Sequence, residues 1–276
     1  MSVKSALLFA SAALAHTLHS RETTFACGTP DPTDEHIAIA HNFSIKEAAA
    51  AKAGLVARQD IFVNVYLHSV SASQGGLLTG DALQRQFDVL ASTYAAYGIT
   101  MSLAGTDGTV NSGWASDGDE YGMKSALRKG SYSDLNLYFL DSLSGGSLGY
   151  CYFPQYAPQG SDAFVLDGCA IQASTIPGGS ASGFNEGLTA VHETGHWLGL
   201  FHTFQGGCDG AGDEVADTPA QASASSGCPT GRDSCPNSPG EDPIHNYMDY
   251  SQDSCYNSFT DGQRARMDSS WSQFRG

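Results

Sequence analysis

The sequence predicts an α+β fold, in which a twisted mixed sheet and two long helices precede a mostly irregular C-terminal subdomain closed by a helix. Apolar and polar residues alternate between Ile61 and Val70, the pattern of a strand with one buried face. Thr79 and Asp81 can cap a helix whose apolar residues recur at helical spacing as far as Gly98. We expect the sheet and its helices to lie above a cleft, with the C-terminal subdomain below it.

The remaining elements follow from the same periodicities. A short helix is predicted within Ser44–Ala53, and the closing helix is predicted from about Thr260 to Phe274. Turns rich in Gly, Ser and Asp separate the further predicted strands, which are Thr100–Leu103, Leu135–Leu140, Leu148–Phe153 and Ala163–Ile171.

The composition limits the class of partner. The chain has 276 residues, with 13 Lys and Arg against 29 Asp and Glu, which gives a net charge of −16. So acidic a surface argues against nucleic acid or an anionic membrane as a partner. We expect a monomer.

The N-terminus has the composition of an export signal. Lys4 precedes an apolar run over 6–15 that is too short to span a membrane and is followed by small residues. Residues 1–20 are therefore predicted to be a signal peptide cleaved near 15–20, which would make the protein secreted and extracellular. The sequon at Asn42 is a glycosylation candidate in such a protein.

One motif decides the predicted chemistry. Residues 192–202 read H-E-x-x-H-x-x-G-x-x-H, so His192 and His196 share one helix face, with Glu193 beside them. A turn at Gly199 is needed to bring His202 to the same point. Three protein ligands leave tetrahedral zinc one open position, as in a catalytic site. Zinc would activate water there, with Glu193 as general base and then general acid.

A second motif narrows the family. Met248 lies in the segment Pro243–Tyr250 downstream of the histidines, and an acidic loop, Gly212–Pro219, lies between the two motifs. With these features the chain resembles the pappalysin family of metzincin zinc metalloproteases, and within it the small secreted fungal extracellular metalloproteases. The resemblance runs from about Asp60 to the C-terminus and implies a metzincin-like catalytic domain over 59–276. Residues 21–58 are then a propeptide or an N-terminal extension.

The resemblance also implies roles for residues near the Met248 turn. Met248 would form an apolar floor under the zinc site, and the Tyr250 hydroxyl would stabilise the oxyanion, the alternative for Tyr250 being a packed core side chain. Asp253 would line the pocket for the residue after the scissile bond and favour Arg or Lys there.

Export makes the seven cysteines candidates for disulfides, and the odd number leaves one over. Cys151 and Cys169 flank an apolar segment and could pair across adjacent strands. The resemblance favours Cys228 with Cys255, which leaves Cys208 with Cys235, although spacing alone does not fix the connectivity.

Two features have open alternatives. Cys27 could place its thiolate on the zinc and keep the enzyme latent until cleavage, for instance after Arg58, or it could be a surface thiol or a disulfide partner. The acidic loop, together with Asp209 just before it, could bind calcium or could simply be solvated; the oxygen donors are Asp209, Asp213, Glu214 and Asp217.

Two rival functions follow from the same residues. A secreted binding or inhibitory protein could keep the fold and the metal without turnover, but it would have no need for Glu193. A structural zinc module needs a fourth ligand, for which Cys208 is the nearest candidate, but disulfides explain the cysteines better. The sequence therefore favours a secreted zinc endopeptidase.

Overall fold

The computed structural model describes residues 25–55 and 58–276, so the predicted signal peptide over 1–20 lies outside the described residues. This part of the chain contains seven α-helices and five strands. The helices are α1 (Asp34–Lys52), α2 (Gly80–Ala95), α3 (Ser112–Ala115), α4 (Glu120–Leu127), α5 (Asp162–Leu166), α6 (Leu188–Trp197) and α7 (Asp261–Phe274). The strands are β1 (Ile61–Ser71), β2 (Ile99–Val110), β3 (Leu135–Leu140), β4 (Gly149–Cys151) and β5 (Cys169–Gln172).

The five strands form one sheet in the order β2-β1-β3-β5-β4. All neighbours are parallel except β4, which runs antiparallel to β5 at the edge of the sheet. A parallel strand is buried on both faces, and β3 accordingly has six buried residues in succession. The sheet is therefore mixed, as predicted.

Helices cover both faces of the sheet. The larger core joins strand residues to α2 and α6 through side chains such as Leu90, Tyr94 and Val191. A smaller core joins Tyr138 and Leu140 of β3 to Met123 of α4 on the opposite face. After α6 the chain forms no further strand of the sheet and ends with α7, capped by Thr260.

Several predicted elements need correction. The strand predicted over Ala163–Ile171 is wrong at its start, because Ser161 caps the short helix α5 there and β5 begins only at Cys169. The helix in the N-terminal segment starts at Asp34, ten residues before the predicted Ser44, since Thr33 and His36 form a capping box. The short helices α3 and α4 were not predicted.

Three disulfides cross-link the chain: Cys151–Cys169, Cys208–Cys235 and Cys228–Cys255. The first joins β4 to β5, and the other two connect irregular segments that follow α6. Cross-links of this kind reduce the conformational entropy of long loops in the unfolded chain. Cys27 is the cysteine without a disulfide.

Candidate metal centre and active site

The site is built on α6, whose residues from Thr189 to Trp197 are all buried. The helix ends at Trp197, where the indole Nε1–H donates to Asp167 Oδ2 over 3.2 Å. Gly199 then adopts φ +93°, a conformation that favours glycine. Leu200 N donates back to Gly195 O over 2.9 Å, and this sharp turn returns His202 to the helix face.

The three histidines face one another through their Nε2 atoms. Those of His192 and His196 lie 3.2 Å apart, and those of His196 and His202 lie 3.0 Å apart. The Nδ1 atoms of His192 and His196 lie 2.6 and 2.8 Å from the carbonyl oxygens of Tyr247 and Leu200, so each Nδ1 must donate a proton. The Nε2 atoms of His192 and His196 therefore present lone pairs to the point at which His202 Nε2 also lies.

Such a convergence of acceptors fits a cation. Two nitrogens bound tetrahedrally to zinc at the usual bond length would lie about 3.3 Å apart. Burial is the largest cause that lowers the pKa of His192 and His202 well below the usual value, and it lowers the pKa of His196 to about 4. Neutral imidazole is the form that binds metals.

Glu193 projects from the same helix and is fully buried. Its Oε2 accepts from Thr29 Oγ1 over 3.0 Å and lies 3.5 Å from the Cys27 thiol, while Oε1 has no partner among the described residues. Burial raises the pKa of Glu193 to about 8, which suits a group that takes up and releases protons. A Cβ on Gly149 would lie 2.6 Å from Glu193 Cγ, so β4 must carry glycine here.

Met248 and Tyr250 lie on either side of the histidine cluster. Met248 is fully buried beneath α6, where a Cβ on Gly195 would collide with its sulfur. The Tyr250 ring lies 5.0 Å from His202 and 5.8 Å from His192 between centroids. Burial raises the Tyr250 pKa, with smaller effects from Cys27 and Glu193, so the hydroxyl stays protonated and can donate.

Cys27, which belongs to the N-terminal segment, lies next to this site. Its Sγ and one nitrogen of each histidine all lie within 4.8 Å of one another, and Sγ is 3.5 Å from His196 Nε2. Burial, followed by the Glu193 charge, raises the pKa of the Cys27 thiol. The sequence left the surroundings of Cys27 open, and the fold puts it beside the histidines.

The segment that carries Cys27 continues into α1, which packs on α7. The Glu47 carboxylate pairs with the buried Arg266 guanidinium at 3.0 and 3.1 Å. His41 Nδ1 lies 3.1 Å from the Glu214 carboxylate. Asn42 is exposed on α1, where a glycan would face solvent.

Asp253 and the acidic loop form hydrogen bonds with other parts of the chain. Asp253 is 2% exposed, and its Oδ2 accepts from Glu186 N over 2.8 Å just before α6; burial raises its pKa to about 7. Asp217 binds Thr260 and Gly262 at the start of α7, and Asp213 Oδ1 accepts from Val215 N. Asp209 is exposed.

Four residues of the site could not be found from the sequence: Thr29, which binds Glu193; Gly149, which faces it; Phe25, which packs on His192; and Asp167, which holds Trp197. The sequence offers a signal for only one of these four residues, since Thr29 follows Cys27 by two positions.

Comparison with known proteins assigns the family. Residues 131–271 match the peptidase M43 family, described as pregnancy-associated plasma protein-A. An extracellular metalloprotease of Podospora anserina is 55% identical over 98% of this chain and 97% of its own length. The chain belongs to the peptidase M43, or pappalysin, family. A Pyricularia oryzae extracellular metalloprotease is 56% identical over 100% of this chain and 98% of its own length.

Solved structures also agree with the fold of this M43 peptidase. Mirolysin in complex with a compound matches with a TM-score of 0.68 at 27% identity, over 79% of this chain and 94% of that one. A Tannerella forsythia promirolysin variant matches with a TM-score of 0.66 at 26% identity, over 88% of this chain and 92% of that one. The predicted metzincin-like fold and the predicted metalloendopeptidase activity are confirmed.

Membership of the family settles the coarse function. The chain is a metalloprotease that uses a catalytic metal and acts on proteins or peptides, and its relatives are extracellular. Membership of this peptidase family argues against the rival function, a binding protein that has no catalytic turnover. Within residues 25–55 and 58–276, no helix has the length and apolar character needed to cross a membrane.

Proposed function

We propose that the protein is a secreted, monomeric zinc endopeptidase that hydrolyses peptide bonds of extracellular proteins. The observation that carries the proposal is the convergence of three imidazole Nε2 atoms beside the buried Glu193 carboxylate. His192, His196 and His202 would hold Zn²⁺, because neutral imidazoles in a three-ligand set leave a position for substrate. The net negative charge of the chain argues against nucleic acid or an anionic membrane as a partner.

The chain's own groups would divide the work. Bound Zn²⁺ would supply the Lewis acidity that activates water and polarises the scissile carbonyl. Glu193 accepts the proton of the attacking water at its carboxylate and passes it to the leaving nitrogen. Tyr250 donates its hydroxyl proton in a hydrogen bond to the oxyanion. Met248 and the carbonyls of Tyr247 and Leu200 keep the histidines in place.

Metal removal tests the function directly. We expect a chelator to abolish casein hydrolysis by the activated protein and added Zn²⁺ to restore it, because no side chain at the site offers a metal-independent nucleophile once Cys27 has left. Calcium alone is not expected to restore hydrolysis, because imidazole ligands suit zinc better. Full activity of metal-free protein would refute the proposal.

The role of Tyr250 has its own test. Tyr250→Phe keeps the ring contacts with His192 and His202 but removes the hydroxyl, so we expect kcat to fall about 10- to 1,000-fold with little change in KM. Phe204→Tyr, which changes a neighbouring ring, serves as a control for packing. Unchanged turnover in Tyr250→Phe would make this residue a core side chain only.

We further propose that residues 21–58 are a propeptide that keeps the enzyme latent. A Cys27 thiolate would complete a set of three histidines and one cysteine around zinc, and four protein ligands close the site to substrate. Thr29 would reinforce the block, because it occupies the Glu193 oxygen that the reaction needs. The match to promirolysin covers 88% of this chain against 79% for mirolysin, which agrees with an added N-terminal segment.

Loss of the thiol should release this block. We expect uncleaved Cys27→Ala protein to hydrolyse a short peptide at least about tenfold faster than uncleaved wild type, since the fourth zinc position is free. Ser44→Ala, in the same segment but on α1, should remain as latent as wild type. Equal rates for Cys27→Ala and wild type, with both chains shown to be uncut, would exclude the thiol as the latency element.

Two sequence-based expectations remain proposals. Asp253 would favour Arg or Lys after the scissile bond through its partnerless Oδ1, the other oxygen being engaged by Glu186 N. The acidic loop would bind Ca²⁺ through Asp209 and Asp213, with Glu214 and Asp217 engaged in the contacts described above.

A further inference from the structure

Phe25 fills an apolar pocket next to the histidine cluster. The side chain is 6% exposed, and its ring lies 4.9 Å from the His192 ring and 4.8 Å from that of Tyr250. The buried apolar residues clustered with Phe25 are Leu148, Ala181 and Phe184. The pocket therefore holds an aromatic side chain within contact of a proposed zinc ligand.

The backbone around Phe25 is bound as an added strand. Leu148 N donates to Ala26 O over 2.8 Å, and Gly28 N donates to Gly149 O over 2.7 Å. These bonds use the free edge of β4, since the other edge pairs with β5. Peptides often bind proteins by adding a strand to such an edge, with alternate side chains entering pockets. Phe25 and Cys27 are alternate residues and both point into the site.

We infer that this pocket, lined by Leu148, Ala181, Phe184 and Tyr250, is a specificity subsite for a large apolar side chain, preferably aromatic, next to the scissile bond of the substrate. The inference rests on the proposed function and on departure of the N-terminal segment at activation. A substrate that binds the same edge of β4 places alternate side chains where Phe25 and Cys27 now lie. The side chain that takes the Phe25 position contacts His192 and hence lies beside the reacting carbonyl.

The chemistry of the walls determines the class of side chain. Apolar side chains gain free energy from burial there, whereas an arginine or lysine would lose hydration. Phe184 and Tyr250 offer tilted ring contacts at 5.6 and 4.8 Å, the geometry that aromatic pairs prefer. The segment that blocks the enzyme thus occupies both the metal position, through Cys27, and the subsite, through Phe25.

Cleavage of a random peptide library by the activated enzyme tests the inference. We expect Phe, Tyr, Leu or Met to be enriched at one of the two positions flanking the cut, with kcat/KM for Phe at least about tenfold above that for Ala at that position. Enrichment of Arg or Lys instead, as the Asp253 expectation requires, overturns the inference, and so does the absence of any preference. Absence of all cleavage would instead refute the proposed function.

Two variants make the test specific to the pocket. Phe184→Ala should lower the Phe-to-Ala ratio of kcat/KM by about tenfold, and this ratio does not depend on the fraction of protein that is folded. Phe164→Ala, a change of the same kind on α5, should leave the ratio unchanged. An unchanged ratio in Phe184→Ala would overturn the inference.

A peptide of residues 25–33 gives a second measurement. The peptide with Phe25→Ala or Phe25→Arg keeps Cys27, so any difference in inhibition of the activated enzyme reports on the pocket alone. We expect both changes to raise the inhibition constant at least about tenfold. Equal inhibition by all three peptides would show that Phe25 does not contribute to binding and would overturn the inference.

Discussion

Glu193→Gln is expected to lower kcat by about 10²- to 10⁴-fold, the usual contribution of a general acid–base group. Glutamine has nearly the same size as glutamate, but it cannot take up a proton at neutral pH. The buried position of Glu193 between two proposed ligands leaves no room for another base to replace it. The measurement is steady-state hydrolysis of a peptide by enzyme freed of residues 21–58.

The controls separate chemistry from folding. Zinc content and the melting temperature of Glu193→Gln should stay close to those of wild type, since the three histidines and their carbonyl partners are unchanged. His202→Ala, by contrast, should lose metal as well as activity. Activity of Glu193→Gln within about tenfold of wild type, at full zinc content, would assign the proton transfer to another group.

Asp167→Ala is expected to lower the free energy of unfolding by about 3–5 kcal/mol, because it leaves buried guanidinium groups without their counter-charge. The side chains of Asp167 and Arg275 are each 1% exposed and are joined at 2.8 and 3.2 Å, and Arg128 lies 3.3 Å from the same carboxylate. The Asp167 carboxylate also accepts from Trp197 at the end of α6. One side chain thus joins the ends of α4, α6 and α7.

Urea unfolding with the disulfides intact measures this effect as a lower midpoint at an unchanged m value. The exposed pair Arg58–Asp261 provides the matched comparison, and Asp261→Ala should cost about 1 kcal/mol or less. Deletion of Arg275 and Gly276 should destabilise the protein to a similar degree as Asp167→Ala. Equal midpoints for Asp167→Ala and Asp261→Ala would contradict the structural role of the buried network.

Periodic patterns were sufficient for β1 and α2. The strand alternation after Ile61 and the helical spacing before Gly98 correspond to β1 and α2, because each element buries one face. The segment Ala163–Ile171 shows where such reasoning fails. A continuous apolar run does not distinguish a strand from a short helix. Here Ser161 caps the first turn, and the segment forms the helix α5.

The sequence by itself determined the proposed metal centre, because the histidines, Glu193 and Gly199 lie within eleven residues and local helix and turn geometry brings them together. Only the tertiary structure decided what surrounds that centre. Cys27 is 166 residues from Glu193, and Phe25 and Thr29 are equally remote, so their contacts depend on how the N-terminal segment pairs with β4. Contacts of that kind arise from packing between distant segments, which no local pattern in the chain encodes.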